Sequence, residues 1–168
     1  DVSNASATAK TAKVASNTKV FKTMRLALSC TAEYTTYFGG TKAGALEGMN
    51  ATLTRVNGIF NKDLAVKLVL IANTEALIYT DAATDPYANA KEGADGEWNE
   101  DLQENLTAVI GNANYDIGHL FGASGNGGNA GCIGCICTNP TTEEPLGKGS
   151  AYTSPSNERP EGDTFDID

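Results

Sequence analysis

Three cysteines crowd into six residues, Cys132-x-x-Cys135-x-Cys137, and a fourth, Cys30, stands far upstream. Thiolates at such spacing chelate zinc, but no fourth ligand lies nearby in the sequence, so disulfides are the simpler use of an even set of cysteines. A redox or metal-storage role for the cluster would require thiols that are free. The chain has a single histidine, His119. An imidazole can act as a base, a metal ligand or a pH sensor. His119, however, sits in the apolar stretch Asp116-Ile-Gly-His-Leu-Phe121, which predicts a packed or hydrogen-bonded ring. Two acidic stretches, Asp81 to Asp85 and Asp163 to Asp168, make calcium a possible ligand. Neither has the ordered alternation of an EF-hand loop, and both read as solvated loops.

Composition limits the partners. Among 168 residues there are 21 acidic and 12 basic ones, a formal net charge of -9. That balance repels nucleic-acid phosphates and leaves no polybasic stretch for an anionic membrane. The longest apolar run, Leu64 to Ala72 with Lys67 inside it, is far short of the roughly 20 residues of a membrane span. Residues 1–19 are mostly Ala, Ser, Thr, Asn and Lys without an apolar segment, and read as a linker or trimmed pro-segment. Asn-x-Ser/Thr triplets at Asn4, Asn50 and Asn105, together with the even cysteine count, fit a secreted chain, extracellular or periplasmic.

The elements that must position these groups are legible in part. Met24, Leu26 and Leu28 alternate with smaller or polar residues, predicting a first strand over Val20 to Ser29. Thr41 can cap a helix in which Leu46, Met49, Leu53, Val56 and Phe60 form one stripe. Leu64 to Ala72 predicts a central strand covered on both faces, and Ala76 to Thr80 a shorter strand. Asp81 to Gly96 is rich in turn formers and predicts a long exposed loop. Trp98, Leu102, Leu106, Val109 and Ile110 mark a second helix, with Glu97, Glu100 and Asp101 favouring its N-terminal dipole. Tyr115 to Phe121 reads as another strand, and the run Cys132 to Cys137, behind a glycine cluster, as an edge strand. Beyond Thr138 no periodicity is visible. The order implies one α/β domain, a mostly parallel twisted sheet of about five strands with two main helices.

Four segments carry a resemblance: Arg25-Leu-Ala-Leu-Ser-Cys-Thr-Ala-Glu-Tyr34, Met49-Asn-Ala-Thr-Leu-Thr-Arg-Val-Asn57, Leu68-Val-Leu-Ile-Ala-Asn73 and Asn114-Tyr-Asp-Ile-Gly-His-Leu-Phe121. From about Phe21 to Asp168 the chain resembles the bacterial reprolysin-like zinc metallopeptidases of the metzincin clan. The resemblance implies that residues 20–168 are the N-terminal, upper subdomain of a catalytic domain. It also implies that the active-site helix, with its HExxHxxGxxH motif, follows Asp168. In that motif three histidines hold Zn²⁺ and a glutamate is the base on the metal-bound water. One histidine cannot supply such a site, so catalysis by this chain alone is not expected and no catalytic role passes to His119.

The resemblance further implies that Gly131, Cys132, Ile133, Gly134 and Cys135 form the upper rim of a cleft, an edge strand to which an extended peptide substrate adds. Cys137 matches the strand-end cysteine of the family. With Cys30 at the end of the first strand, a Cys30–Cys137 disulfide is the first expectation, leaving Cys132 and Cys135 to pair or stay free. The expected function is a share in a secreted zinc metalloendopeptidase that takes peptide or protein substrates. Its partner would be the zinc-binding C-terminal half, as a continuation or an associated chain. The competing reading is a non-catalytic extracellular binding or structural module on the same fold.

Overall fold

The computed structural model describes residues 20–166. The linker or pro-segment expected over residues 1–19, its Asn4 triplet, and Ile167 and Asp168 lie outside the described residues. In chain order come β1 (Lys22–Cys30), α1 (Ala32–Tyr37), α2 (Lys42–Ile59), β2 (Val66–Leu70), α3 (Ala90–Glu92), α4 (Trp98–Val109), β3 (Ile117–Phe121), β4 (Gly127–Asn129), β5 (Ala151–Ser154) and α5 (Asp163–Asp166). The five strands form one sheet in the order β2-β1-β3-β5-β4. The neighbours β2, β1, β3 and β5 are parallel, and β4 runs antiparallel on the outside.

The period-two pattern of β1 decides how the two layers assemble. Leu26, Leu28 and Cys30 face one side and pack with Tyr34, Ala45 and Met49, the last two from α2, and with Phe121 and Phe165. Ala27 faces the other side, where Trp98, Leu102 and Leu106 of α4 pack with Leu120 and Tyr152. Each helix offers its stripe to one face, the arrangement expected for crossover helices on a parallel sheet. The caps follow the sequence. The Thr41 Oγ1 accepts the Gly44 N–H at 3.1 Å and starts α2, and Thr31 does the same for Tyr34 at the head of α1. At Gly118 the sheet and α4 touch so closely that a Cβ would lie 2.3 Å from the Leu106 Cδ1, so only glycine fits.

Several expectations are corrected. Leu64 to Ala72 does yield a strand, but β2 is at an edge with half-covered and exposed residues alternating, rather than central. Its apolar run reflects the packing of Leu68 and Leu70 against the core on the α2 side. Ala76 to Thr80 is no strand: Thr74–Leu77 forms a 3-10 turn and only Ile78 makes a bridge, to Cys30. Val109 is 46% exposed, because α4 ends there and Ile110 takes the inward place. Residues 131–137 are turns and bends; the edge strand is β4, a few residues earlier. The tail beyond Thr138, without visible pattern, supplies β5, with Tyr152 and Ser154 buried and Ala151 and Thr153 half-buried.

Candidate functional site

One end of the sheet gathers the features with functional potential. β4 pairs with β5 on one side, with Gly128 opposite Thr153, and has no strand on its other side among the described residues. All three of its residues are exposed. Two of them are glycines, so the main chain rather than side chains lines this edge. Beneath β4 and β5 lies a polar depression of roughly 370 Å³, lined by Asn126, Gly127, Gly128, Ser154, Thr164 and Asp166.

The loop following β4 holds the five rim residues expected from sequence, together but not as a strand. Asn129 Oδ1 accepts the Gly131 N–H at 2.7 Å, turning the chain away from β5. Gly131 has φ +64 and its missing Cβ would lie 2.4 Å from the Ser150 carbonyl oxygen, so the turn requires glycine. A disulfide joins Cys132 to Cys135 across the turn containing Gly134. Ile133 at the tip is 94% exposed. Ile133 and Ile136 overhang a small apolar pocket of roughly 240 Å³ shared with Ile117, Ala130 and Ala151.

The Cys30–Cys137 bond is not made. Cys30 pairs in register with Phe121, whereas the Cys137 N–H bonds the Asp116 carbonyl, five residues back along the same strand. That offset is roughly 16 Å along the strand, against the roughly 7 Å limit between Cα atoms for a disulfide. Cys30 is instead a fully buried thiol, pushed up to about 12 by burial and in contact with Thr35 Oγ1 at 3.3 Å. Cys137 is exposed and free.

His119 is in β3 and points to the α2 side. Its Nε2 shares a 2.8 Å hydrogen bond with Thr153 Oγ1, and its ring meets Phe121 edge-on. Burial against this apolar face pushes the imidazole down to about 4, so it is neutral at physiological pH. It lines an apolar cavity of roughly 270 Å³ between the sheet and the C-terminal half of α2, with Leu53, Val56, Phe60 and Phe165. The last part of the expected α2 stripe therefore overhangs open space instead of packed core.

The acidic stretches serve as structural ties. Asp85 accepts the N–H groups of Ala32 and Tyr87, and Asp81 that of Ala83. Asp166 receives Thr52 Oγ1 and Arg55 Nη1, both at 2.6 Å, and Asp163 also pairs with Arg55, fastening α5 to α2. Among the described residues there is no group of three or more His, Cys, Asp or Glu that could hold a metal ion. Calcium at either stretch is unsupported. Nor do the described residues fit a hydrolytic zinc: the one imidazole bonds Thr153 and belongs to no group of three or more His, Cys, Asp or Glu. Among the described residues no helix is long and apolar enough to cross a membrane.

Sequence reasoning missed Thr153 and the whole β4–β5 pair. β5 carries no apolar–polar alternation, since the residues it buries are Tyr152 and Ser154, and β4 is a glycine-rich triplet with no side-chain pattern to read. The Asn105 triplet is closed to a glycan, because its amide is buried between the hydroxyls of Tyr79 and Tyr87 at 2.8 Å each. Asn50 is exposed on α2.

Comparison with known proteins adds two findings. No curated protein matches the chain. The sequence profile of the Metallo-peptidase family M12B, described as Reprolysin-like, matches residues 20–168, which takes in every strand and helix of the sheet domain. A five-stranded, mostly parallel α/β sheet with a free antiparallel edge above a polar depression, carried by a sequence that fits this profile along nearly its whole length, leads to one conclusion: the chain belongs to the reprolysin-like M12B metallopeptidase family.

Proposed function

We propose that residues 20–168 form the upper wall of a peptidase cleft and that an extended peptide adds to the free edge of β4. The observation that carries this reading is the exposed, glycine-built, antiparallel edge Gly127–Asn129 standing over a polar depression of roughly 370 Å³. Strand addition uses the N–H and C=O groups of the peptide itself, so it binds many sequences, while neighbouring pockets select side chains. Gly131, Cys132, Ile133, Gly134 and Cys135 continue the rim beyond the strand, with Ile133 as its most exposed apolar group.

Zinc is the metal that M12B membership implies, yet the residues of this chain do not fit it, and no bond-breaking step is assigned to them. The hydrolytic centre of the secreted metalloendopeptidase belongs to a C-terminal, histidine-bearing half, either a continuation of this chain or an associated one. The open cavity beside α2 supports that division, since an apolar surface of this kind invites a covering element.

Hydrogen exchange tests the proposal. An extended apolar peptide added to the purified chain is expected to slow exchange across residues 127–135 and leave β2 unchanged. Protection confined to β2, or none at saturating peptide, overturns the strand-addition reading. Chelator-sensitive cleavage of a denatured protein by chain of verified mass would refute the assignment of chemistry to another half.

A further inference from the structure

We infer that Cys132, Cys135 and Cys137 form an intramolecular thiol–disulfide exchange site, in which the Cys137 sulfur displaces Cys132 from Cys135 and moves the covalent staple of the rim. The sequence places three sulfurs within six residues, and the structure sets them on two successive turns that share Cys135. Cys132 and Cys135 are already bonded, with Cα atoms 5.6 Å apart and both residues half-buried rather than sealed. The Thr138 N–H bonds the Cys135 carbonyl at 2.8 Å, closing a turn whose third residue is Cys137. Two residues along a chain span at most about 7.2 Å, and this turn shortens the span into the range of about 4.4–6.8 Å between disulfide Cα atoms.

The site is also anchored and accessible. Cys137 holds a left-handed backbone, φ 63, and its N–H is tied to Asp116 while Thr138 receives the Lys148 N–H, so the turn is fixed to the foot of β3. Its thiol is exposed. The charged groups near this turn are Arg25 and Asp116, which pair with each other, and Lys148. Cys30, the other free thiol, is fully buried and takes no part.

The reaction balances without an external oxidant. Cys137 gives its proton to solvent and its sulfur attacks the Cys135 sulfur. The Cys135–Cys137 bond forms, the Cys132–Cys135 bond breaks, and Cys132 leaves as a thiolate that takes up a proton. No electrons are gained or lost. Release of Cys132 frees the segment between the end of β4 and Cys135, so exchange would switch the rim between a stapled and a loosened form. This holds whether or not peptides bind there.

The test is to hold the intact chain without reductant at pH 8, block free thiols with excess N-ethylmaleimide under native conditions near neutral pH, and map labels and disulfide-linked peptides by mass spectrometry. The expected result is two populations, one labelled at Cys137 and one labelled at Cys132 with a Cys135–Cys137 bond, the second appearing faster as pH rises. In Cys137→Ser the Cys132 label should fall at least about tenfold. Label at Cys137 alone at every pH, or undiminished Cys132 label in the variant, overturns the inference. Unlabelled Cys30 reports that each sample is folded. Should the serine variant unfold, the linkage found in the unmutated chain decides alone.

Discussion

Lowering the pH should destabilise this chain through His119. The imidazole is held down at about 4 by burial, against 6.5 for a free ring. A depressed folded value means that stability is fully present above pH 6.5 and is lost as pH falls from 6.5 through 4. With these two values the loss between pH 7.5 and pH 5 is about 2 kcal/mol, rising to about 3 kcal/mol below pH 4. Both figures are upper estimates, since the ring borders an open cavity. Asp85 acts in the opposite sense: burial raises its carboxyl, so its contribution grows as pH falls. The comparison with His119→Gln, neutral at every pH and able to bond Thr153, isolates the histidine. Between pH 7.5 and 5 the urea midpoint should fall further for the unmutated chain than for the glutamine variant. An NMR titration placing the ring at 6 or above, or an equal acid loss in both proteins, would refute the reasoning.

Other substitutions test the packing. Asp166→Ala leaves Thr52 of α2 without its acceptor and Arg55 with Asp163 alone, and should cost about 1–3 kcal/mol in chemical denaturation, with loosening of α5. Gly118→Ala forces a methyl group against Leu106 and the Gly149 backbone and should destabilise by about 1–3 kcal/mol, read as a lower melting temperature. Tyr34→Phe should be neutral or stabilising by about 1 kcal/mol, because its hydroxyl is the one buried side-chain polar atom without a hydrogen-bond partner among the described residues. A measured loss above that size would mean that the hydroxyl has a partner in solution.

Where burial follows a period, the fold could be read from sequence. β1 alternates between two cores and α2 begins at its threonine cap, so both were visible, as was the α4 stripe from Trp98 to Leu106. Position within the sheet was less visible. β2 is apolar because Leu68 and Leu70 pack against the core on the α2 side, and hydrophobicity alone does not record how many neighbours a strand has. The free sheet edge was harder still. Its strand is built from Gly127, Gly128 and Asn129, selected by backbone geometry, and Cys132 to Cys137 imitates an edge strand while Gly131 and Gly134, both at positive φ, fold it into turns. The cysteine pairing failed for a related reason: register along β3, not order in the chain, sets the distance between Cys30 and Cys137.

The amide of Asn105, clasped between two tyrosine hydroxyls under α4, has a bearing on how the protein can be made. A host that attaches sugar trees to nascent chains would meet this acceptor before α4 has docked. A decorated Asn105 can then never enter its slot, which is only 9% open to solvent. Such molecules would be stranded as misassembled by-products, so the buried amide makes production sensitive to whether folding outruns the glycosylating enzyme.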